Sequence, residues 1–111
     1  MIQIFQKNYV NLPMSDYELI FLPKASKKFK KLIKNNKKLE AQFIKVFSTL
    51  QVSPFELSLS SHKVNLSSYG EVFSSRVTGD IRIIWKFYRE TLIAIAVLDI
   101  GGHSGSTGVY K

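Results

Sequence analysis

The sequence contains no cysteine, which removes disulfides, zinc-thiolate sites and thiol redox chemistry together. Its longest unbroken apolar run, Leu92 to Leu98, has the length of a strand and falls well short of the ~20 residues that span a bilayer. No membrane partner is expected. Acidic residues are scarce, 8 against 16 basic ones, for a net charge of +8. A polyanion is then the natural partner, either nucleic acid or an acidic protein. Histidine occurs only at His62 and His103, far apart and with no carboxylate motif beside either, so a zinc site is rejected. The glycines are not followed by the Lys-Ser or Lys-Thr of a phosphate-binding P-loop, and Gly102-His103-Ser104-Gly105 lacks the full nucleophile-elbow pattern. The opening MIQIFQKNYVNLPMSDYELIF has neither a continuous apolar core nor a small-residue cleavage site. Secretion is not expected, and a cytoplasmic address is compatible with the lack of cysteine.

What the chain does have is a core. Its 111 residues match the commonest size of a single domain, and 45% hydrophobic with 13% aromatic residues is far from a disordered composition. The domain is placed at residues 16–111. Residues 1–15 are an N-terminal extension; Met14-Ser15-Asp16 could be the natural beginning of the domain, with residues 1–13 left open as an added strand, a loose arm or the product of an upstream start codon. Tyr17 to Leu22 reads as a buried strand ending at Pro23, a residue that also suits helix entry. Ala25, Phe29, Leu32 and Ile33 recur at helical spacing. After a break at Asn35-Asn36, Leu39, Phe43, Val46, Phe47 and Leu50 form a second apolar stripe up to Ser53-Pro54. Phe55 to Leu66 is serine-rich and reads as a loop. Strands follow at Glu71 to Val77, Ile81 to Phe87 and Leu92 to Leu98. The expected fold is α+β, in the order β-α-α-β-β-β, with an antiparallel sheet packed on a helical hairpin.

The positive charge is concentrated. Lys24, Lys27, Lys28, Lys30, Lys31, Lys34, Lys37 and Lys38 make up half of the basic residues, and no acid lies among them. Lysines at i, i+3 and i+4 repel unless a counter-charge is near, which favours an anionic partner over a merely solvated face.

The most informative spacing surrounds Thr78-Gly79-Asp80. Ile81, Ile83, Trp85 and Phe87 alternate with Arg82 and Lys86, the period-two pattern of a half-buried strand. If the loop is the three residues 78 to 80, Val77 pairs with Ile81 and Arg76 lies opposite Arg82 on one sheet face. With a two-residue Gly79-Asp80 turn, Arg76 would face Ile83 and Arg82 would point to the other side. Opposed like charges cost roughly 0.2–1 kcal/mol. A sheet that keeps such a pair usually holds an anion between them, and guanidinium forks suit phosphate oxygens. Two solvated arginines on an exposed sheet remain the plainer alternative at this point.

The remaining acid-base groups are His62, His103, Tyr110, Glu71, Asp80 and Asp99. In order and spacing, four segments resemble the RelE/ParE superfamily of type II toxins, the ribosome-dependent mRNA interferases and their relatives. They are YELIFLPKASKKFKKL from Tyr17; Leu59-Ser60-Ser61-His62-Lys63-Val64; Arg76-Val77-Thr78-Gly79-Asp80-Ile81-Arg82-Ile83-Ile84-Trp85; and Asp99-Ile100-Gly101-Gly102-His103 leading to Val109-Tyr110-Lys111. The resemblance implies a RelE-like fold and an endoribonuclease that cuts mRNA in the ribosomal A site, blocking translation without a metal or other cofactor. An acidic antitoxin would neutralise it. His62, Asp80 and His103 fall at YafQ-like positions, Arg82 beside the scissile phosphate, and Tyr110 at the C-terminal aromatic position. Arg76 stands where YafQ-like toxins have a histidine, Ser74 where they have an aspartate, and the interval from His103 to Tyr110 is longer than in that branch.

On this basis Arg76 and Arg82 are expected to stabilise phosphate, His103 to act as general acid or base, His62 as its proton-transfer partner, and Tyr110 to orient the substrate. Lys24, Lys27, Lys28, Lys31 and Lys34 would grip ribosomal RNA, and Asp80 would contact substrate. A ParE-like gyrase inhibitor, a catalytically silent antitoxin-binding relative and a basic RNA-binding domain unrelated to toxicity stay open as alternatives.

Overall fold

Leu19 and Phe21 occupy alternate positions of the first apolar strand, and both are buried, so one face of that strand is committed to a core from the outset. The computed structural model describes residues 3–5, 17–88, 94–102 and 108–110. In chain order these form β1 (Gln3–Phe5), β2 (Glu18–Phe21), α1 (Pro23–Ile33), α2 (Lys37–Val52), a 3-10 turn (Leu57–Leu59), β3 (His62–Leu66), β4 (Gly70–Arg76), β5 (Ile81–Phe87) and β6 (Ala94–Gly102). The class is α+β, as expected. Pro23 opens α1, where its missing N–H costs nothing. The break between helices falls at Asn35, which adopts a left-handed φ of 57°, a conformation asparagine tolerates better than most residues. Asn36 then caps α2, its Oδ1 accepting from the Leu39 N–H at 3.1 Å, the usual remedy for an orphan donor in the first turn.

The described strands join in one sheet of order β1-β2-β6-β5-β4-β3. It departs from the expected antiparallel sheet in one place, because β2 runs parallel to β6. The reason lies in burial. Every β6 residue from Ala94 to Gly101 is buried, so this is a central strand covered on both faces, the setting that parallel neighbours require. β6 also continues past the expected end at Leu98 to Gly102. A register shift opposite Ile84 and Trp85 accommodates the extra residue as a bulge would.

The segment 55 to 66 is not a loop throughout. After the 3-10 turn, His62 to Leu66 pairs with β4 as an edge strand. Val64 and Leu66 pack on the sheet, but the polar His62, Lys63 and Asn65 between and before them hide the alternation. An edge strand favours such polar content, because it blocks pairing with another chain. At the opposite edge, Gln3–Phe5 pairs antiparallel with β2, so part of the N-terminal extension is an added strand.

The sheet has two apolar faces rather than one. On the inner face Leu19, Phe21, Ile83, Trp85, Ile95 and Val97 meet Ala25, Phe43 and Phe47 of the helical hairpin. Phe21 and Phe47 pack edge to face at 4.9 Å, as do Phe29 and Phe43 at 5.1 Å, a geometry that adds to simple burial. On the outer face Leu66, Val72, Ile84, Ala96 and Leu98 form a second cluster, joined by Val109 from the C-terminal segment. The Val109 N–H donates to the Gly102 carbonyl at 3.0 Å, which ties that segment to the end of β6.

Candidate active site

The β4–β5 hairpin has the three-residue loop. The Val77 N–H donates to the Ile81 carbonyl at 2.9 Å, and Arg76 pairs with Arg82 in register. Thr78 holds the loop: its Oγ1 accepts from the Ile81 N–H at 3.0 Å and from the Asp80 N–H at 3.2 Å, the local side-chain bonding that makes threonine a turn residue. Strand alternation puts Val72, Ser74 and Arg76 of β4 on the outer face, together with Arg82 and Ile84 of β5. The two arginines are not equivalent. Arg76 is exposed, whereas the Arg82 guanidinium turns back over the hairpin, Nη1 donating to the Thr78 carbonyl at 2.8 Å and the Ile81 carbonyl at 3.2 Å.

One row deeper, His62 of β3 pairs with Ser74 of β4, Ser74 with Ile84 of β5, and Ile84 with Asp99 of β6. Ser74 is fully buried, and its hydroxyl makes a short hydrogen bond to the Tyr110 hydroxyl. The C-terminal segment therefore brings Tyr110 to the face that carries both arginines, in the row of His62. His62 itself is exposed. His103 lies outside the described residues, although the residue before it, Gly102, pairs with Ile81 next to the arginine row. Asp80 sits exposed at the hairpin tip.

The lysines divide into two sets. Lys28 Nζ donates to Asp99 Oδ1 at 2.8 Å, and Lys24 Nζ lies 3.4 Å from Oδ2. Lys24 also donates to the Tyr69 hydroxyl at 3.2 Å, and the Tyr69 hydroxyl reaches Asp99 Oδ2 at 3.4 Å. The counter-charge missing from the lysine run thus comes from β6. Lys24 and Lys28 meet a carboxylate of β6, and the contact joins α1 to the sheet. Lys27, Lys31 and Lys34 remain exposed; Lys27 and Lys31, four residues apart, share one side of α1, and Lys34 follows at its C-cap. Asp99 is the residue whose role the sequence hid: its only local sign is a carboxylate amid a buried apolar strand.

Replacing Asp99 with alanine should cost about 1–3 kcal/mol, the scale of lost charge-assisted hydrogen bonds, with the exposed Lys24 adding little. A urea midpoint unchanged by the substitution would show that the cluster does not hold the helix. The Tyr69 hydroxyl accepting from Lys24 holds that ammonium above its ordinary 10.5, with Asp99 adding to the effect against partial burial. Because the folded value is raised, the contribution of Lys24 is complete at neutral pH and is lost only as pH rises through that value.

No protein-family model matches the chain, and no curated protein does. Among the described residues, no helix is long and apolar enough to cross a membrane. The functional reading rests on the residues of the outer face.

Proposed function

We propose that the protein is a RelE-like toxin of a type II toxin-antitoxin system, a cytoplasmic endoribonuclease that cuts ribosome-bound mRNA. The observation that carries the reading is the convergence of Arg76, Arg82, His62 and the Ser74–Tyr110 pair on one sheet face. The reaction is attack of the RNA 2′-hydroxyl on the adjacent phosphorus. The O2′–P bond forms, the P–O5′ bond breaks, and the products are a 2′,3′-cyclic phosphate and a 5′-hydroxyl. A base must take the 2′ proton, an acid must protonate the departing O5′, and cations must meet the charge that builds on phosphate. Arg76 and Arg82 supply the cations, His62 and His103 exchange the protons, and Tyr110 orients the substrate. Asp80 at the hairpin tip contacts the strand. The exposed Lys27, Lys31 and Lys34 add sequence-independent attraction to ribosomal RNA phosphates. They also offer an acidic antitoxin a surface to cover.

One observation favours a protein that binds without cleaving, whether a gyrase inhibitor or a silent antitoxin-binding relative: Arg82 Nη1 is engaged by loop carbonyls, which leaves fewer of the five guanidinium N–H donors for a phosphate. Controlled expression separates the readings. Wild type should arrest growth and cut translated transcripts, and Arg82→Ala and His103→Ala should each relieve both effects while the protein stays folded. Growth arrest with intact transcripts and induction of a DNA-damage response would transfer the proposal to gyrase. Two fully toxic variants would place the site elsewhere.

A further inference from the structure

We infer that Ser60 is a positioning residue that fixes Nε2 as the working nitrogen of His62 and so makes His62 the acceptor of the 2′-hydroxyl proton. The inference rests on the RNA-cleaving reading above. His62 Nδ1 lies 2.9 Å from the Ser60 carbonyl oxygen. A carbonyl can only accept, so in the neutral ring the proton sits on Nδ1 and the lone pair on Nε2. This is the reverse of the tautomer that free neutral histidine prefers in water.

The carbonyl is aimed by an unusual backbone. Ser60 ends the 3-10 turn at φ 49°, ψ 39°, a left-handed conformation that residues other than glycine seldom adopt and that gathers at functional sites. Both sides of it are fastened. Its N–H donates to the Leu57 carbonyl at 3.1 Å. The next residue, Ser61, bonds through Oγ to the Pro54 carbonyl and to Ser75 Oγ, each at 2.6 Å. The turn is thus anchored to β4, and His62 enters β3 opposite Ser74, the partner of Tyr110. With Nδ1 occupied and the ring exposed, Nε2 is the nitrogen left for a substrate on the outer face.

The test begins with nitrogen-15-labelled wild-type protein, at a pH that leaves the ring neutral, using long-range proton–nitrogen correlation spectra of the imidazole. The Nδ1–H tautomer is expected. An Nε2–H tautomer in a protein that cleaves RNA overturns the inference and leaves the cleavage reading intact; a wild type that leaves mRNA whole defeats both. Two variants complete the experiment. Ser60→Gly keeps the left-handed backbone and its carbonyl, and should retain the tautomer and the rate. Ser60→Val disfavours that backbone. It should shift His62 toward Nε2–H and lower kcat roughly tenfold or more, up to the ~10²–10⁴ that a placed base contributes, with KM unchanged. A Ser60→Val protein that is folded, keeps the Nδ1–H tautomer and loses activity would overturn the assignment, as would a loss confined to KM.

Discussion

Arg76→Ala is expected to lower RNA cleavage by ~10²–10³-fold, the loss that follows removal of one donor to a developing oxyanion, while the fold becomes no less stable. The two halves of this prediction share a cause. Arg76 faces Arg82 across the hairpin, and like charges so placed cost roughly 0.2–1 kcal/mol. Relieving the pair should raise the urea midpoint slightly even as the phosphate loses a cation, the trade expected where activity keeps a destabilising arrangement in place. Arg82→Ala is a less clean probe, because it also removes the bonds from Nη1 to the Thr78 and Ile81 carbonyls. An Arg76→Ala protein that cleaves normally would remove Arg76 from the site. A fall in both stability and activity would give it a structural role instead.

Trp85→Ala should have the largest effect on stability, about 3–5 kcal/mol, a large share of the roughly 5–15 kcal/mol that holds a domain together. Trp85 is fully buried. It stacks on Phe73 at 4.7 Å and meets Phe87 edge-on at 5.3 Å. Its Nε1–H donates to Ser75 Oγ at 2.7 Å, and Ser75 continues through Ser61 to the Pro54 carbonyl. The same side chain that fills the inner core therefore also fastens the turn leading to His62. Trp85→Phe keeps a six-membered aromatic ring while removing the donor and the rest of the indole, so it should cost less than alanine in a denaturant titration. Equal losses from the two substitutions would mean that the polar chain, not the packing, carries the stability.

These effects differ in how readily the sequence discloses them. The helical hairpin was legible because its apolar residues recur at helical spacing and an asparagine pair marks the break. The Arg76–Arg82 register was legible as one of two options, since the choice turned on whether Thr78 belongs to the loop; its hydroxyl, which accepts from both Ile81 and Asp80, decides it. β3 was not legible, because an edge strand profits from the polar residues that mask its alternation. The parallel pairing of β2 with β6 and the capture of Lys24 and Lys28 by Asp99 were hidden for another reason. Both join parts of the chain separated by most of the domain, and no local pattern encodes a distant partner. Of the candidate site, the arginines, His62 and Tyr110 could be named from the sequence. That Ser74 connects to Tyr110, and that Ser60 aims its carbonyl at His62, needed coordinates, because serine carries little signal of its own in a serine-rich stretch.

The central claim is that the outer sheet face cleaves RNA through its own 2′-hydroxyl, and the chemistry of the cut ends tests it most directly. Purified protein added to ribosomes translating a defined mRNA should yield fragments with 2′,3′-cyclic phosphate ends upstream of the cut and 5′-hydroxyl ends downstream, and Arg76→Ala should suppress both. Intact mRNA, or fragments bearing 3′-hydroxyl and 5′-phosphate ends, would contradict it.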